Sequence, residues 1–266
     1  MSNGFLWFAV ENKDVDYIDL SKKLAESIKK HNRQNNVCII TNKKIEHELF
    51  DRVIVLEKDL SGNETWKLSN ECQAFNLTPY THTIKLEADM IVNENIDWWW
   101  YFLHQHNLVF SRNCFDYKGN EVRDTENRQL WHDNDLPNVY NGLTYFRKSI
   151  LSKQFFALCT FITLHWNYVK DEILVNCHDN QPTTDVVYSL ALKILDPFET
   201  TRIDFDWFKF FHNKRSVNHL PPAVHNDSFI NPVRCDDRYF FGGHHAPPIT
   251  HYRNKNLLGE IDAGIF

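Results

Sequence analysis

Two short apolar bursts near the start, FLWFAV (5–10) and VCIIT (37–41), limit the fold more than any other feature of the chain. Each is short enough for a strand buried on both faces. Between them the pattern changes. Ile18, Leu20, Leu24 and Ile28 recur at near-helical spacing among lysines, which predicts a helix over roughly 15–31. RVIVL (52–56) reads as a third strand, WKLSNECQAFNL (66–77) as a helix ended by Pro79, and THTIKLEADMIVNE (81–94) as a fourth strand. A Trp-rich helix near 96–106 and LVFS (108–111) as a fifth strand follow. Strands alternating with helices predict an α/β fold with one doubly wound, mostly parallel sheet.

The rest of the chain is less regular. Residues 112–137 are polar and predict a long surface excursion, VYNGLTYF (139–146) returns to strand character, and helices are expected over 149–170 and 184–195. The segment after that is punctuated by Pro221-Pro222, Gly242-Gly243 and Pro247-Pro248, so it predicts a loop-rich C-terminal third. With no repeat and no linker, 1–266 is expected to form a single domain.

Composition narrows the function classes. A formal charge of -6 excludes a global field that would draw in nucleic acid or an anionic membrane, although a local basic patch remains open. The six cysteines contain no CxxC pair and have neither zinc-site nor disulfide-framework spacing. Reduced thiols in a cytoplasmic compartment are the expectation. No apolar run reaches the length of a membrane span. Enrichment in Asn, Lys, Ile, Phe and Tyr with only 8 Gly points to an AT-rich coding genome such as a phage's, in which case the compartment is the host cytoplasm.

Glu87 and Asp89 interrupt the apolar fourth strand. On a strand, residues two apart share a side, so both acids would aim the same way with Ala88 leaving space between them. In doubly wound sheets ligands bind beyond the carboxyl ends of the strands. Two carboxylates there are costly unless a cation pairs with them, and Mg²⁺ or Mn²⁺ suits carboxylate oxygens and bridges to diphosphate. A chance pair of acids at a strand end running into solvent is the competing explanation.

At this point the chain resembles GT-A nucleotide-sugar glycosyltransferases of the glycogenin and lipopolysaccharide-transferase kind. PYTHTIKLEADMIV is similar to the segment that carries their metal-binding D-x-D motif, and FLWFAV through VCIITN is similar to their first strand, helix and second strand. NVYNGLTYFRKS, PTTDVVYSLAL and PITHYRNK resemble their later segments, in the right order and over almost the whole chain. Departures are Glu87 in place of the first Asp, Gly142 directly after Asn141 with no intervening serine, and no tryptophan after the final lysine.

The resemblance implies a metal held by Asp89 and His251, with Glu87 binding either the metal or the donor sugar. It implies Asn141, Gly142 and Asp185 beside the transferring sugar, Tyr17 on the donor base and Lys255 near the diphosphate; Arg253 and Lys67 could add positive charge there, against a solvated tail and a helix-surface lysine as the alternatives. Asp185 opens an apolar helix, where acids are favoured in any case. His244 and His245 form a rival metal pair, but neighbours on extended chain face opposite ways. Trp98 to Tyr101 cannot share one helix face, so core packing with a partly exposed ring is expected.

DWFKFFHNKRSVNH (206–219) interleaves aromatics with Lys209, Lys214 and Arg215. It fits an amphipathic helix on the core, and also a surface that grips nucleic acid. The function expected is metal-dependent sugar transfer from a nucleotide-sugar, UDP-sugar in kind, to a hydroxyl acceptor. Family analogy implies retention at the anomeric carbon. A hydroxymethylated base in phage DNA is the first acceptor considered and a glycan or lipopolysaccharide core the second. A non-catalytic nucleotide- or glycan-binding module is the alternative of another class.

Overall fold

The computed structural model describes residues 2–32, 34–62, 64, 67–123, 128–196, 203–220, 232–235 and 238–252. In chain order the strands are β1 (Asn3–Ala9), β2 (Asn36–Thr41), β3 (Arg52–Val55), β4 (His82–Lys85), β5 (Met90–Val92), β6 (Leu108–Ser111) and β7 (Cys114–Phe115). They continue as β8 (Glu121–Val122), β9 (Tyr140–Arg147), β10 (Phe211–Asn213), β11 (Pro232–Cys235), β12 (Arg238–Phe241), β13 (His244–His245) and β14 (Ile249–Tyr252). The helices are α1 (Tyr17–His31), α2 (Ala74–Leu77), α3 (Trp99–Leu103), α4 (Gln129–Asp133), α5 (Ile150–Leu164), α6 (Trp166–Tyr168) and α7 (Thr184–Leu195).

The central sheet has six strands in the order β3-β2-β1-β4-β9-β6. β3, β2, β1 and β4 run parallel, and β9 is antiparallel to both of its neighbours. The sheet is therefore mixed but mostly parallel, as expected. Its apolar bursts are buried on both faces. Phe5, Trp7 and Ala9 of β1 pack with Leu24, Ala25 and Ile28 of α1. The alternate residues Leu6, Phe8 and Val10 pack with Phe155 and Phe156 of α5 and Val187 and Leu190 of α7. This is the period-2 alternation of a strand between two layers, and each large side chain so buried stabilises the fold by about 1.5–3 kcal/mol.

Local signals explain the helix ends. Asp16 caps α1 by accepting from the Asp19 amide, and Ser149 caps α5 by accepting from Ser152. Trp7 Nε1 donates to Ser21 Oγ at 2.9 Å, tying α1 to the sheet. Gly4 allows a different close approach. A Cβ there would lie 2.3–2.5 Å from three carbons of the Tyr80 ring. Tyr80 is buried, so Gly4→Ala is expected to cost about 1–3 kcal/mol of unfolding free energy by overpacking, measurable by denaturant titration.

Several expectations need correction. The stretch expected as one long strand breaks after Lys85: β4 belongs to the central sheet, and β5 to a second sheet ordered β5-β14-β10-β7-β8. The expected surface excursion over 112–137 supplies β7 and β8 to that second sheet, with Cys114 and Val122 buried. Residues 206–219 form no helix; they enter the interior as β10 and turns. The C-terminal third is also more regular than expected, since β11, β12 and β13 form a third, antiparallel sheet. Non-local pairing, invisible to periodicity, organises the second sheet, whereas the third is built of local hairpins. By contrast, β6 and α7 fall where expected.

One buried histidine of the central sheet makes stability sensitive to acid. His82 is buried beside His104 (ring centroids 4.1 Å apart), and its Nδ1 lies 2.7 Å from Tyr145 Oη. Burial first, and then the charges of His104 and Arg147, lower its pKa from 6.5 to about 4. The unfolded chain therefore binds this proton more readily than the folded one. Its contribution is fully present above about pH 6.5 and is lost as pH falls from there toward 4. His82→Gln is expected to flatten that part of a stability-versus-pH curve.

Candidate active site

The parallel strands set where side chains can gather. β1 and β4 end at the same edge of the sheet, and the antiparallel β9 begins there, with Lys85 paired in register to Thr144. Tyr17 follows β1, Glu87 follows β4, and Asn141 and Gly142 open β9. Asp185 lies in the first turn of α7.

Glu87 and Asp89 stand in the break between β4 and β5, so a turn rather than strand alternation brings them together. Pairing of β14 with β5 places His251 opposite Met90, and the Tyr252 amide donates to the Asp89 carbonyl at 3.0 Å. The result is convergence. His251 Nε2 lies 3.2 Å from Asp89 Oδ2 and 3.3 Å from Glu87 Oε2. One donor atom from each of the three residues lies within 4.8 Å of the others, the one such metal-competent group found among the described residues. Two hard carboxylate oxygens with one imidazole nitrogen suit Mg²⁺ or Mn²⁺. The donor set fits a divalent cation.

The neighbours fix this group in place. Asn141 Nδ2 donates to Glu87 Oε1 at 3.1 Å, and the Asn141 backbone amide donates to Asp185 Oδ1 at 2.8 Å. Gly142 gives Glu87 its room, because a Cβ there would lie 3.0 Å from Glu87 Oε2 and 2.9 Å from Met90 Cε. Glu87, one methylene longer than an aspartate, is thus matched to a glycine. The His251 ring lies parallel to that of His212, with centroids 4.5 Å apart and planes 5° apart, because β10 and β14 pair in register.

A cleft of about 430 Å³ opens over the group, lined among others by Glu87, Asn141, Gly142, Asp185, Lys214 and His251. Arg128, 4% exposed, forms its wall. The guanidinium carbon of Arg128 lies 4.0 Å from the Trp131 ring centroid and 3.8 Å from that of Tyr140, and its Nη2 donates to Asp185 Oδ2 at 2.9 Å. Although burial works against its charge, the carboxylate of Asp185 and the Tyr140 phenol hold Arg128 protonated. Tyr17, half-buried, has its phenol pKa raised by burial and then by the negative charges of Glu87 and Glu71.

Other expected site residues lie elsewhere. Lys67 pairs with Asp59 at 2.9 Å and donates to the Gly62 carbonyl at 2.7 Å, bracing the 59–62 turn. Lys209 is not at a nucleic-acid surface. It is 1% exposed, within 3.3–3.5 Å of carboxylates of Glu121, Asp204 and Asp206, and the flanking rings of Phe208, Phe210 and Phe211 are core residues. Lys214 belongs to the cleft, and Arg215 is half-buried. Lys255 and Arg253 lie outside the described residues. His244 and His245 are exposed on β13 and take no part in the group. Trp99 and Trp100 are core, while Trp98 and Tyr101 are partly exposed, as expected.

Sequence reasoning missed Arg128, Glu71, His212 and Lys85. Only Lys85 left a signal: a third charged residue in the apolar run, requiring a partner as much as Glu87 and Asp89 do.

No family model matches the chain, and no curated protein matches it by sequence. Its fold is similar to that of the glycosyltransferase GlyE from Streptococcus pneumoniae TIGR4, with a TM-score of 0.53 and 13% identity. The likeness covers 97% of this chain and 56% of that one, so the chain spans little more than half of that protein's length.

Proposed function

We propose that this chain is a metal-dependent GT-A glycosyltransferase that moves a sugar from a nucleotide-sugar donor to a hydroxyl acceptor. The observation that carries it is the convergence of Glu87 and Asp89, from the turn between β4 and β5, with His251 of β14 beside a cleft. The fold likeness to a glycosyltransferase supports the same class. A bound Mn²⁺ or Mg²⁺ would act as a Lewis acid that neutralises charge on the leaving diphosphate.

Asp89, His251 and Glu87 would hold that cation, with Glu87 anchored through Asn141. Lys214 adds positive charge to the cleft where the diphosphate would lie. Tyr17, at the start of α1 and within the field of Glu87, is positioned for the donor base. Asp185 has one oxygen on Arg128 and the other on the Asn141 amide. A carboxylate clamped and neutralised in this way is a poor nucleophile, and its remaining lone pairs suit hydroxyl groups of the sugar.

A non-catalytic binding module would have no need for a three-ligand cation site. The purified protein should hydrolyse a UDP-sugar in the presence of Mn²⁺ and stop when the metal is chelated. Neither turnover nor Mn²⁺-dependent nucleotide binding across a panel of donors would reject this function. Labelled donor offered with hydroxymethylated DNA and, separately, with glycan then identifies the acceptor. Of the basic aromatic segment that helped to suggest DNA, Lys209 and the rings flanking it are buried, while Lys214 and Arg215 are half-buried.

A further inference from the structure

Beneath the cleft floor lies an ion pair that the proposed chemistry does not itself use. Lys85 on β4 is 0% exposed, the side chain of Glu71 is 4% exposed, and Lys85 Nζ lies 2.7 Å from Glu71 Oε2. Burial pushes the Glu71 carboxyl pKa up, opposed by Lys85 and reinforced by the charges of Glu87 and Asp185. Placing two charges this deep is costly and seldom adds net stability over apolar residues of the same volume.

The pair's other contact runs upward. Lys85 Nζ donates to Asn141 Oδ1 at 2.7 Å and approaches the Asn141 carbonyl at 3.3 Å. An ammonium only donates, so the amide oxygen of Asn141 must face Lys85. Its Nδ2 is thereby turned the other way, toward Glu87 Oε1 at 3.1 Å and Asp185 Oδ1 at 3.5 Å. With Oε1 held, Glu87 presents Oε2 toward His251 at 3.3 Å, in the space that Gly142 leaves open.

We propose that the buried Glu71–Lys85 pair is a positioning device that fixes the Asn141 amide and, through it, turns Glu87 into the metal group. This rests on the assignment of Glu87, Asp89 and His251 as cation ligands. Glu71 and Lys85 touch neither metal nor substrate; they act through Asn141. Partners of this kind typically change metal affinity by about 10–100-fold.

The test replaces both charges with apolar side chains of similar length, Glu71→Met with Lys85→Met, so that neither charge is left unpaired. The double variant is expected to melt near the wild-type temperature, while its Mn²⁺ affinity, measured by calorimetry without any sugar nucleotide, falls by about 10–100-fold. Asn141→Ala should show a loss of the same size, and the triple variant no further loss, since the residues act in series. Wild-type affinity in the double variant, or losses that add, overturns the proposal. Should the double variant fail to fold, Asn141→Ala decides alone, and unchanged Mn²⁺ affinity there overturns it.

A crystal structure of the double variant gives a readout independent of metal. Asn141 Nδ2 is expected to leave Glu87, and its retention at hydrogen-bond distance overturns the proposal even if wild type binds no Mn²⁺. A wild type that binds Mn²⁺ but neither turns over nor binds nucleotide-sugars would defeat the glycosyltransferase assignment and leave this one standing.

Discussion

Asp89→Ala is expected to abolish Mn²⁺ binding and to lower donor turnover by about 10²–10³-fold or more, the scale on which removing a fixed electrostatic partner slows an enzyme. Asp89 is 6% exposed, and its Oδ2 is 3.2 Å from His251. Asp89 and Glu87 both approach the same imidazole, so without a cation their charges oppose one another. Removing one carboxylate relieves that repulsion, and the variant should fold at least as well as wild type in metal-free buffer. The backbone bond from Tyr252 to the Asp89 carbonyl survives the substitution. The two states then separate cleanly. Adding Mn²⁺ should raise the melting temperature of wild type, because a ligand that binds only the folded state stabilises it, and should leave Asp89→Ala unmoved. A Mn²⁺-dependent shift in the variant equal to that of wild type would remove Asp89 from the ligand set.

Lys85→Met alone is expected to be the most destabilising substitution at the site. It leaves Glu71 buried without its cation, and breaking a fully buried pair from one side typically costs about 3–5 kcal/mol. For a chain of this size that corresponds to a fall in Tm on the order of 10 °C. The loss should depend on pH in a defined direction. Without Lys85 the folded-state pKa of Glu71, already raised by burial, rises further above its unfolded value. A carboxyl raised in this way folds at little cost while neutral, and the penalty grows as pH rises through its folded pKa. The deficit against wild type should therefore be smaller at about pH 5 than at about pH 8, as urea unfolding at the two values would reveal. Equal stability of variant and wild type at the higher pH would mean that the pair carries no such cost. The double apolar variant should recover most of the deficit.

The legible parts of this chain are the ones governed by local rules. FLWFAV and VCIIT have strand length and burial on both faces, and they form β1 and β2. Ile18, Leu20, Leu24 and Ile28 lie buried on α1, behind the Asp16 cap. Lys85 lies within an apparently continuous apolar run, where a lone ammonium demands a buried partner. Arg128 lies in a polar stretch where nothing in the sequence distinguishes an interior guanidinium from a surface one. Its sandwich between Trp131 and Tyr140 depends on α4 meeting β9.

Taken alone, the sequence determined the mostly parallel α/β sheet, because burial on both faces and helical spacing are properties of neighbouring residues. It also singled out the residue types of the site: Glu87 and Asp89 by their cost in an apolar run, and His251, Asn141 and Asp185 by resemblance. Tertiary structure alone decided how they meet. The break after Lys85 sends β4 and β5 into different sheets, and pairing of β5 with β14 brings in His251 from 162 positions away. The same long-range pairing took Lys209 and the rings around it inside. Strand pairing between distant segments is set by what each face must bury, and that is known only when the whole chain has packed.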